Sequence, residues 1–149
     1  MKQIFGMVDN SEKNITKRIA LASGKIVLSK NAFKILMNEG SPKGNVWEAA
    51  KISGVMAAKK TPELIPLCHP LEINKVKVVF ETDSKKCTVT SNVEVVYVGR
   101  TGVEMEALTA VSASLLTIYD MMKWADKGMV ISDIKLLHKS GGKSGDYNR

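Results

Sequence analysis

Cysteine and histidine are scarce in this chain of 149 residues, which has two of each. A chain of this length can bury a core without covalent crosslinks, so Cys68 and Cys87 are expected to be free thiols. No pair among the cysteines and histidines has the Cys-x-x-Cys or His-x-x-x-His spacing of a zinc site. The sequence therefore predicts neither a disulfide nor a bound metal.

Long apolar runs are missing as well. The longest stretch without a charged residue, Ala107 to Tyr119, has 13 residues and ends at Asp120, which is too short to cross a bilayer. The first residues do not show the basic, apolar and small-residue order of a secretory signal. We therefore expect a cytoplasmic protein with no membrane partner.

Aromatic residues make up only 5% of the chain, whereas its net charge is +7. The positive charge favours an anionic partner, which could be nucleic acid, a membrane surface or a phosphorylated metabolite. RNA-recognition domains stack bases on aromatic residues of their central strands, and the last predicted strand, Val130 to His138, has none. A phosphorylated small molecule is thus favoured over nucleic acid.

The apolar pattern predicts strands and helices in the order β, α, β, β, α, β. This order is typical of a ferredoxin-like α+β fold, an antiparallel sheet with helices packed on one face. We expect a single domain over residues 1–149, with residues 1–14 and 139–149 flexible until substrate or a partner subunit orders them. The predicted elements are a strand at 15–28 with a bulge at Gly24, helices at 29–38 and 45–59, strands at 76–81 and 88–95, a helix from 103 that Gly128 ends, and a strand at 130–138. Small residues, Gly54 among them, form a stripe on the helix at 45–59 that suits close backbone contact with another element. Apolar residues three and four apart form a stripe on the helix from 103 that is expected to face the sheet.

The segment Glu63 to Leu71 sets Cys68 and His69 side by side among Leu, Ile and Pro residues. Pro66 and Pro70 disfavour helix and favour extended backbone before them. Successive side chains of an extended chain point to opposite faces. Cys68 and His69 are therefore not expected to face one pocket together, and one of them should serve in packing.

Charged residues mark both ends of the long helix predicted after Gly102. Thr101 and Glu104 have the spacing of a capping box, which gives Glu104 a structural interpretation. Glu106 lies about 200° around the helix from Glu104 and so faces another side. Near the other end, Asp120 and Lys123 are three residues apart, which fits either a solvated ion pair or an acid and base held at fixed separation.

The length of this helix limits how its residues can act together. Glu106 and Asp120 are 14 residues apart, which corresponds to roughly 21 Å along a straight helix. One small-molecule pocket cannot use both residues from the same copy of the chain. If both ends are functional, either other segments complete two separate pockets or a symmetric dimer shares each pocket between subunits.

The C-terminal residues 139–146 contain Gly-Lys-Ser but do not form a phosphate-binding P-loop. That motif requires a glycine at position 137, which is Leu, and a helix after the loop. The backbone N–H groups and two lysines, Lys139 and Lys143, could still surround a phosphate. A disordered end is an equally good interpretation of these residues.

Three segments together resemble one family, the molybdenum cofactor biosynthesis protein C family of cyclic pyranopterin monophosphate synthases. The segments are Leu-Ile-Pro-Leu-Cys-His-Pro-Leu at 64–71, Gly-Arg-Thr-Gly-Val-Glu-Met-Glu-Ala-Leu-Thr at 99–109 and Leu-His-Lys-Ser-Gly-Gly-Lys-Ser-Gly-Asp at 137–146. Shorter matches at 7–9, 42–46 and 116–121 extend the resemblance over nearly the whole chain.

The resemblance implies a lyase that converts (8S)-3′,8-cyclo-7,8-dihydroguanosine 5′-triphosphate into cyclic pyranopterin monophosphate and releases diphosphate. It also implies a ferredoxin-like subunit, a hexamer built as a trimer of dimers, and active sites between subunits. No cofactor would be required, with Mg²⁺ only as an optional companion of the triphosphate. The alternative is a binder of a phosphorylated nucleotide or RNA that lacks catalysis.

The resemblance also implies roles for individual residues, which fall into three groups. The catalytic residues would be Lys43, His69, Asp120 and Lys123. The substrate would be lined by Leu67, Cys68, His69, Glu104, Met105 and Glu106. The triphosphate would be neutralised by Arg100, Lys139 and Lys143.

Overall fold

Residues 3–149 are described by a computed structural model, in which helices cover one face of an antiparallel sheet. The elements are β1 (Thr16–Val27), α1 (Lys30–Asn38), α2 (Val46–Lys59), α3 (Thr61–Leu64), β2 (Lys75–Asp83), β3 (Thr88–Gly99), α4 (Glu104–Met122), β4 (Val130–Ser140) and β5 (Tyr147–Asn148). The strand order is β2-β3-β1-β4-β5. Its first four strands have the ferredoxin-like arrangement, so the predicted α+β fold class is confirmed.

Strand β1 bends at Gly24, as the sequence predicted. The pairing of β1 with β4 shifts register between Leu21 and Ala22 and again between Ser23 and Lys25. A Cβ atom on Gly24 would lie 2.8 Å from Val111 and 2.9 Å from Leu115, closer than carbon atoms can approach without displacement. Glycine is needed here because α4 packs directly on this part of the strand.

Helices α2 and α4 pack closely because small residues line their contact, also as predicted. A Cβ on Gly54 would lie 3.3 Å from the backbone oxygen of Ala110. The Ser53 hydroxyl donates to the Ala113 carbonyl at 3.0 Å and accepts from the Thr117 hydroxyl at 2.7 Å. These contacts fix α4 against α2, so residues at both ends of α4 lie on a rigid support.

The apolar face of α4 forms the centre of the core. Val111, Leu115, Ile118 and Met122 are completely buried, as their spacing of three and four residues predicted. The buried hydroxyls of Ser91 and Ser114 in this layer are hydrogen-bonded at 2.7 Å, so neither is left unpaired. The functional residues of α4 must therefore project from its ends and flanks.

Helices α1 and α2 begin where the sequence predicted. Ser29 accepts from the N–H of Ala32 at 3.1 Å, and Asn45 accepts from the N–H of Glu48 at 3.0 Å. The capping box predicted for α4 was wrong. Its N-cap is Val103, with no capping hydrogen bond from a side chain, because the Glu104 carboxylate has another partner.

The extended backbone predicted for the segment Glu63 to Leu71 was also wrong. Glu63 and Leu64 are the end of α3, which Pro62 favours because a proline fits the first turn of a helix. The N–H of Cys68 then donates to the carbonyl of Ile65 at 3.2 Å, which closes a turn. In a turn, unlike in an extended strand, neighbouring side chains can face the same side.

Candidate active site

The first candidate region is a cavity of about 230 Å³ at the N-terminal end of α4, here called the His69 pocket. Six predicted site residues line it together: Leu67, Cys68, His69, Glu104, Met105 and Glu106. The turn at Ile65 explains why Cys68 and His69 both reach this cavity, which corrects the prediction that they could not. Val8, Asn10 and Lys13 close the opposite side.

Glu106 is the most unusual group in the His69 pocket. The residue is only 3% exposed, and among residues 3–149 its Oε2 atom has no hydrogen-bond partner. Burial, aided by the negative charge of Glu104, raises the pKa of Glu106 to about 7. Burial and the nearby Glu106 raise the pKa of the Cys68 thiol. The pocket therefore contains a carboxyl group that can gain or lose a proton near neutral pH.

Glu104 faces the same pocket but is held by a cation. Its Oε1 lies 3.4 Å from the Lys139 ammonium, and that ammonium also donates to the Ser144 hydroxyl at 2.7 Å. A Cβ on Gly102 would overlap the Glu104 carboxylate. Glu104 thus links the pocket to the C-terminal residues instead of capping its own helix.

A second cavity, of about 390 Å³, lies beside the first and is here called the basic pocket. Lys13 lines both cavities, so they adjoin. Arg18 on β1 is only 7% exposed, and its Nε and the Thr16 hydroxyl have no hydrogen-bond partner among the described residues. Buried donors of this kind are costly unless a ligand satisfies them. Lys143 and Ser144 complete the wall.

Sequence reasoning missed Arg18, although a signal was present. Residues 18, 20 and 22 all face the buried side of β1, and the other two are alanines. A charged residue in the buried register of a strand is exceptional and indicates a polar site. The predicted Arg100 is placed differently, since its Nε donates to the carbonyl of Lys13 at 3.2 Å and it lines neither cavity.

Two glycines allow the C-terminal segment to cross Arg18. Gly141 and Gly142 both have φ of +88°, a conformation that side chains rarely adopt. A Cβ on Gly142 would overlap the Arg18 guanidinium, and a Cβ on Gly141 would overlap the Lys17 carbonyl. The double glycine therefore brings the backbone of the C-terminal segment against the basic pocket.

The third region is a cluster at the other end of α4, formed by Lys43, Asp120 and Lys123. One carboxylate oxygen of Asp120 lies 2.7 Å from the Lys43 ammonium, and the other lies 2.8 Å from Lys123. These bonds, the one from Lys123 first, lower the pKa of Asp120 to about 2. The bond with Asp120 also raises the pKa of Lys123. The loop carrying Lys43 is fastened to α4 by the Ser41 hydroxyl, which donates to the Met121 carbonyl at 2.7 Å.

The lysine cluster and the His69 pocket cannot form one site within a single chain. Glu106 and Asp120 are both in α4, as predicted, and are separated by 14 residues or roughly 21 Å. The structure thus brings the predicted catalytic residues Lys43, Asp120 and Lys123 together, but leaves His69 with the substrate-lining group.

Comparison with known proteins identifies the family of this chain. Residues 7–142 match the model of the MoaC family, a span that contains the His69 pocket, the lysine cluster and the basic pocket except Lys143 and Ser144. The chain belongs to the MoaC family. Within MoaC proteins, it is 54% identical over 143 residues to a cyclic pyranopterin monophosphate synthase of Helicobacter hepaticus, covering 96% of this chain and 90% of that one.

Two further MoaC relatives have the same name. The cyclic pyranopterin monophosphate synthase of Helicobacter pylori strain J99 is 53% identical over 95% of this chain and 90% of its own length. That of Parvibaculum lavamentivorans is 52% identical over 95% of this chain and 88% of its own length. The family predicted from the motifs is therefore confirmed.

Three further observations on the MoaC chain concern metal ligands, membrane-spanning helices and cysteines. Within residues 3–149, no three His, Cys, Asp or Glu side chains are grouped so that they could hold a metal ion. No helix in the same range has the length and apolar character needed to span a membrane. Both cysteines are free thiols, as the sequence predicted.

Proposed function

We propose that this protein is a cyclic pyranopterin monophosphate synthase, a lyase of molybdenum cofactor biosynthesis. It converts (8S)-3′,8-cyclo-7,8-dihydroguanosine 5′-triphosphate to cyclic pyranopterin monophosphate and releases diphosphate. The names of relatives at 52–54% identity support this activity. The observation that carries it is the adjacency of the His69 pocket and the basic pocket, joined at Lys13. A ligand that carries both a ring and a polyphosphate fits such a pair of cavities.

The basic pocket would bind the triphosphate. Arg18 presents a buried guanidinium with an unsatisfied Nε, and Lys13 and Lys143 add two cations against one carboxylate, Glu12. A guanidinium binds phosphate oxygens through several directed hydrogen bonds, and backbone N–H groups of a glycine-rich turn favour anions. Lys139 lines neither cavity, but it pairs with Glu104 of the His69 pocket and donates to Ser144 of the basic pocket, and it would approach the sugar or the α-phosphate.

The lysine cluster would carry out proton transfers. Closing a cyclic phosphate requires a sugar hydroxyl to lose its proton as its oxygen attacks the α-phosphorus and the bond to diphosphate breaks. Asp120 is a poor proton acceptor at neutral pH, because both of its oxygens are bonded to ammonium groups. We assign it the task of holding Lys43 and Lys123 at fixed positions. Their ammonium groups would donate protons and stabilise developing negative charge, and the His69 imidazole would accept the proton of the sugar hydroxyl.

The separation of Glu106 and Asp120 along α4 supports a site shared between two subunits. We propose that the His69 pocket and basic pocket of one subunit face the lysine cluster of another, in a hexamer arranged as a trimer of dimers. A twofold axis would then create two equivalent sites at each such contact. The enzyme would be cytoplasmic and would need no resident cofactor, so that any Mg²⁺ would enter as part of the substrate triphosphate.

A binder without catalysis is the alternative, because the same two cavities would serve it. Such a binder would not need an aspartate that pairs with two lysines roughly 21 Å from Glu106 along α4. The decisive assay incubates the purified protein with the cyclic dihydroguanosine triphosphate and follows release of diphosphate and formation of the pterin. Turnover by the parent supports the synthase, whereas binding without diphosphate release would contradict it.

Asp120→Asn is the test variant for this assay, because it removes the charge with little change in size. We expect it to lose at least about 100-fold in turnover, the lower end for loss of a proton-transfer arrangement. Asp133→Asn is the matched control, since Asp133 is also exposed and its nearest cation, Lys25, is 3.8 Å away. Equal activity of the two variants would remove Asp120 from the mechanism.

A further inference from the structure

Strand β2 forms a long and regular edge of the sheet. It has nine residues, whereas β5 at the opposite edge has only two. β2 contains no proline, and its register with β3 is unbroken from Lys75 to Asp83. Proteins usually shorten, bend, charge or cover a sheet edge so that no other chain can add to it. Within residues 3–149 no strand pairs with the outer edge of β2, so its outward N–H and C=O groups are available to another chain.

A groove runs along this free edge, between β2 and the helices α1 and α2, and is here called the edge groove. It consists of two cavities of about 350 and 460 Å³ that adjoin, because Met37 and Thr82 line both. Val78, Val79 and Phe80 all line the first cavity. Successive side chains of a strand point to opposite faces, so a cavity that three consecutive residues line lies at an edge of the strand. β3 occupies the other edge.

The floor of the edge groove is apolar and partly aromatic. Trp47 and Phe80 are half-buried, with their ring centroids 5.5 Å apart. Met37 is 46% exposed and Val79 is 39% exposed. Exposed apolar groups that lie together in this way are typical of a surface that another molecule covers. The floor therefore suits an apolar side chain of a partner.

The charge around the edge groove has one sign. Three lysines line it, and among the described residues no carboxylate does: Lys30, Lys34 and Lys51. None of these lysines forms an ion pair within residues 3–149. Asp83, at the end of β2, is engaged by the N–H groups of Lys85 and Lys86 in the hairpin turn. The groove is thus complementary to a partner that carries both apolar and acidic side chains.

We infer that the edge groove is the docking site for an extended acidic segment of a partner protein, which adds to β2 as a further strand. The outward backbone groups of β2 bind the backbone of the segment, an apolar side chain occupies the floor, and acidic side chains pair with Lys34 and Lys51. The edge groove shares no lining residue with the His69 pocket or the basic pocket. The inference therefore goes beyond the proposed function and does not depend on it.

The probe is a synthetic peptide, acetyl-Thr-Glu-Thr-Phe-Thr-Glu-Thr-amide, whose Phe and two Glu side chains fall on one face of a strand. Trp47 reports binding through its fluorescence in the Trp124→Phe variant, in which it is the only tryptophan. We expect saturable binding with a Kd below about 1 mM that weakens as salt is added. Amide hydrogen exchange along β2 should slow in the complex.

Three altered peptides separate the contributions to binding. Replacing both Glu by Lys reverses the charge, and replacing Phe by Ser removes the anchor for the floor. Methylating alternate backbone nitrogens removes the N–H groups that a strand would donate to β2. Each altered peptide should lose saturable binding.

Variants of the protein test the lysines. Lys34→Gln combined with Lys51→Gln should weaken binding of the acidic peptide by about two- to thirtyfold, the range for two surface ion pairs. Lys59→Gln combined with Lys127→Gln is the matched control, because these lysines are also exposed and line neither cavity of the edge groove. The control should bind the peptide as the parent does.

Four results would overturn the inference. They are no saturable binding of the acidic peptide, equal binding of the Lys peptide, retained binding of the methylated peptide, and equal weakening in the two pairs of variants. Sedimentation of the protein with and without the peptide tests the remaining occupant. Dissociation of the protein's own assembly by the peptide would show that a second copy of this chain covers the edge of β2, and would also overturn the inference.

Discussion

Replacing Glu106 by glutamine should make the protein more stable at alkaline pH. The pKa of this carboxyl is raised from its ordinary value of 4.5 to about 7, chiefly by burial. The unfolded chain therefore binds fewer protons than the folded one between these values. Stability due to the neutral carboxyl is complete below about pH 4.5 and is lost as the pH rises through about 7. Glutamine keeps the size of the side chain but cannot ionise.

The size of the effect follows from the shift in pKa. Each unit corresponds to about 1.4 kcal/mol, so ionising Glu106 costs the folded state about 2.5 kcal/mol between pH 5 and pH 8. We expect the difference in unfolding free energy between Glu106→Gln and the parent to increase by that amount over this range. This value is an upper estimate, because water entering the pocket would reduce it.

Denaturation by urea at one protein concentration, at pH 5, 6, 7 and 8, measures this difference. Glu81→Gln is a suitable control, since Glu81 is exposed on β2, and surface substitutions usually change stability by less than about 0.5 kcal/mol. A difference for Glu106→Gln that stays constant across the pH series would show that the buried carboxyl does not titrate, and the reasoning about its environment would be wrong.

Three further substitutions test the basic pocket and the core. Gly142→Ala should raise KM for the cyclic triphosphate at least about tenfold by pushing against Arg18, whereas Gly145→Ala, with φ of +74° but open space around it, should change KM far less. Arg18→Gln should raise KM and weaken its dependence on salt, as checked by steady-state kinetics at two ionic strengths. An unchanged KM would show that the guanidinium does not bind the triphosphate. Gly54→Leu should destabilise the fold by at least about 1–3 kcal/mol in denaturation, because α4 leaves no room for the side chain. Gly6→Leu is the control and should have little effect. Equal losses of stability in the two variants would contradict the close packing of α2 and α4.

Much of the fold was predictable because its signals are local. The apolar stripe of α4, the caps at Ser29 and Asn45, and the hairpin of β2 and β3 are all determined by residues near one another in sequence. Gly24 and Gly54 also indicated correctly that backbones approach closely there. The six His69-pocket residues came from the motif resemblance, and the structure does gather them.

Two of the errors arose where distant residues decide the role of a side chain, and the third arose from a short helix and turn that the prolines did not indicate. Glu104 has the spacing of a capping residue, but Lys139 on β4 takes its carboxylate. The prolines near Cys68 suggested extended backbone, yet α3 and the turn after it aim Cys68 and His69 at one cavity. Arg18 stands in the buried register of β1, which is a local signal, but the glycines that cross it belong to the distant C-terminal segment.

Mixing two inactive variants tests the shared active site most directly. Glu106→Ala removes a residue of the His69 pocket, and Asp120→Ala removes the lysine cluster's anchor at the other end of α4. If each site takes these residues from different subunits, random reassembly after mild dissociation leaves about one site in four intact. Diphosphate release from the cyclic triphosphate should then recover to about a quarter of the parent rate, whereas each variant alone stays inactive. No recovery from an assembly shown to contain both variants would contradict a site built between subunits.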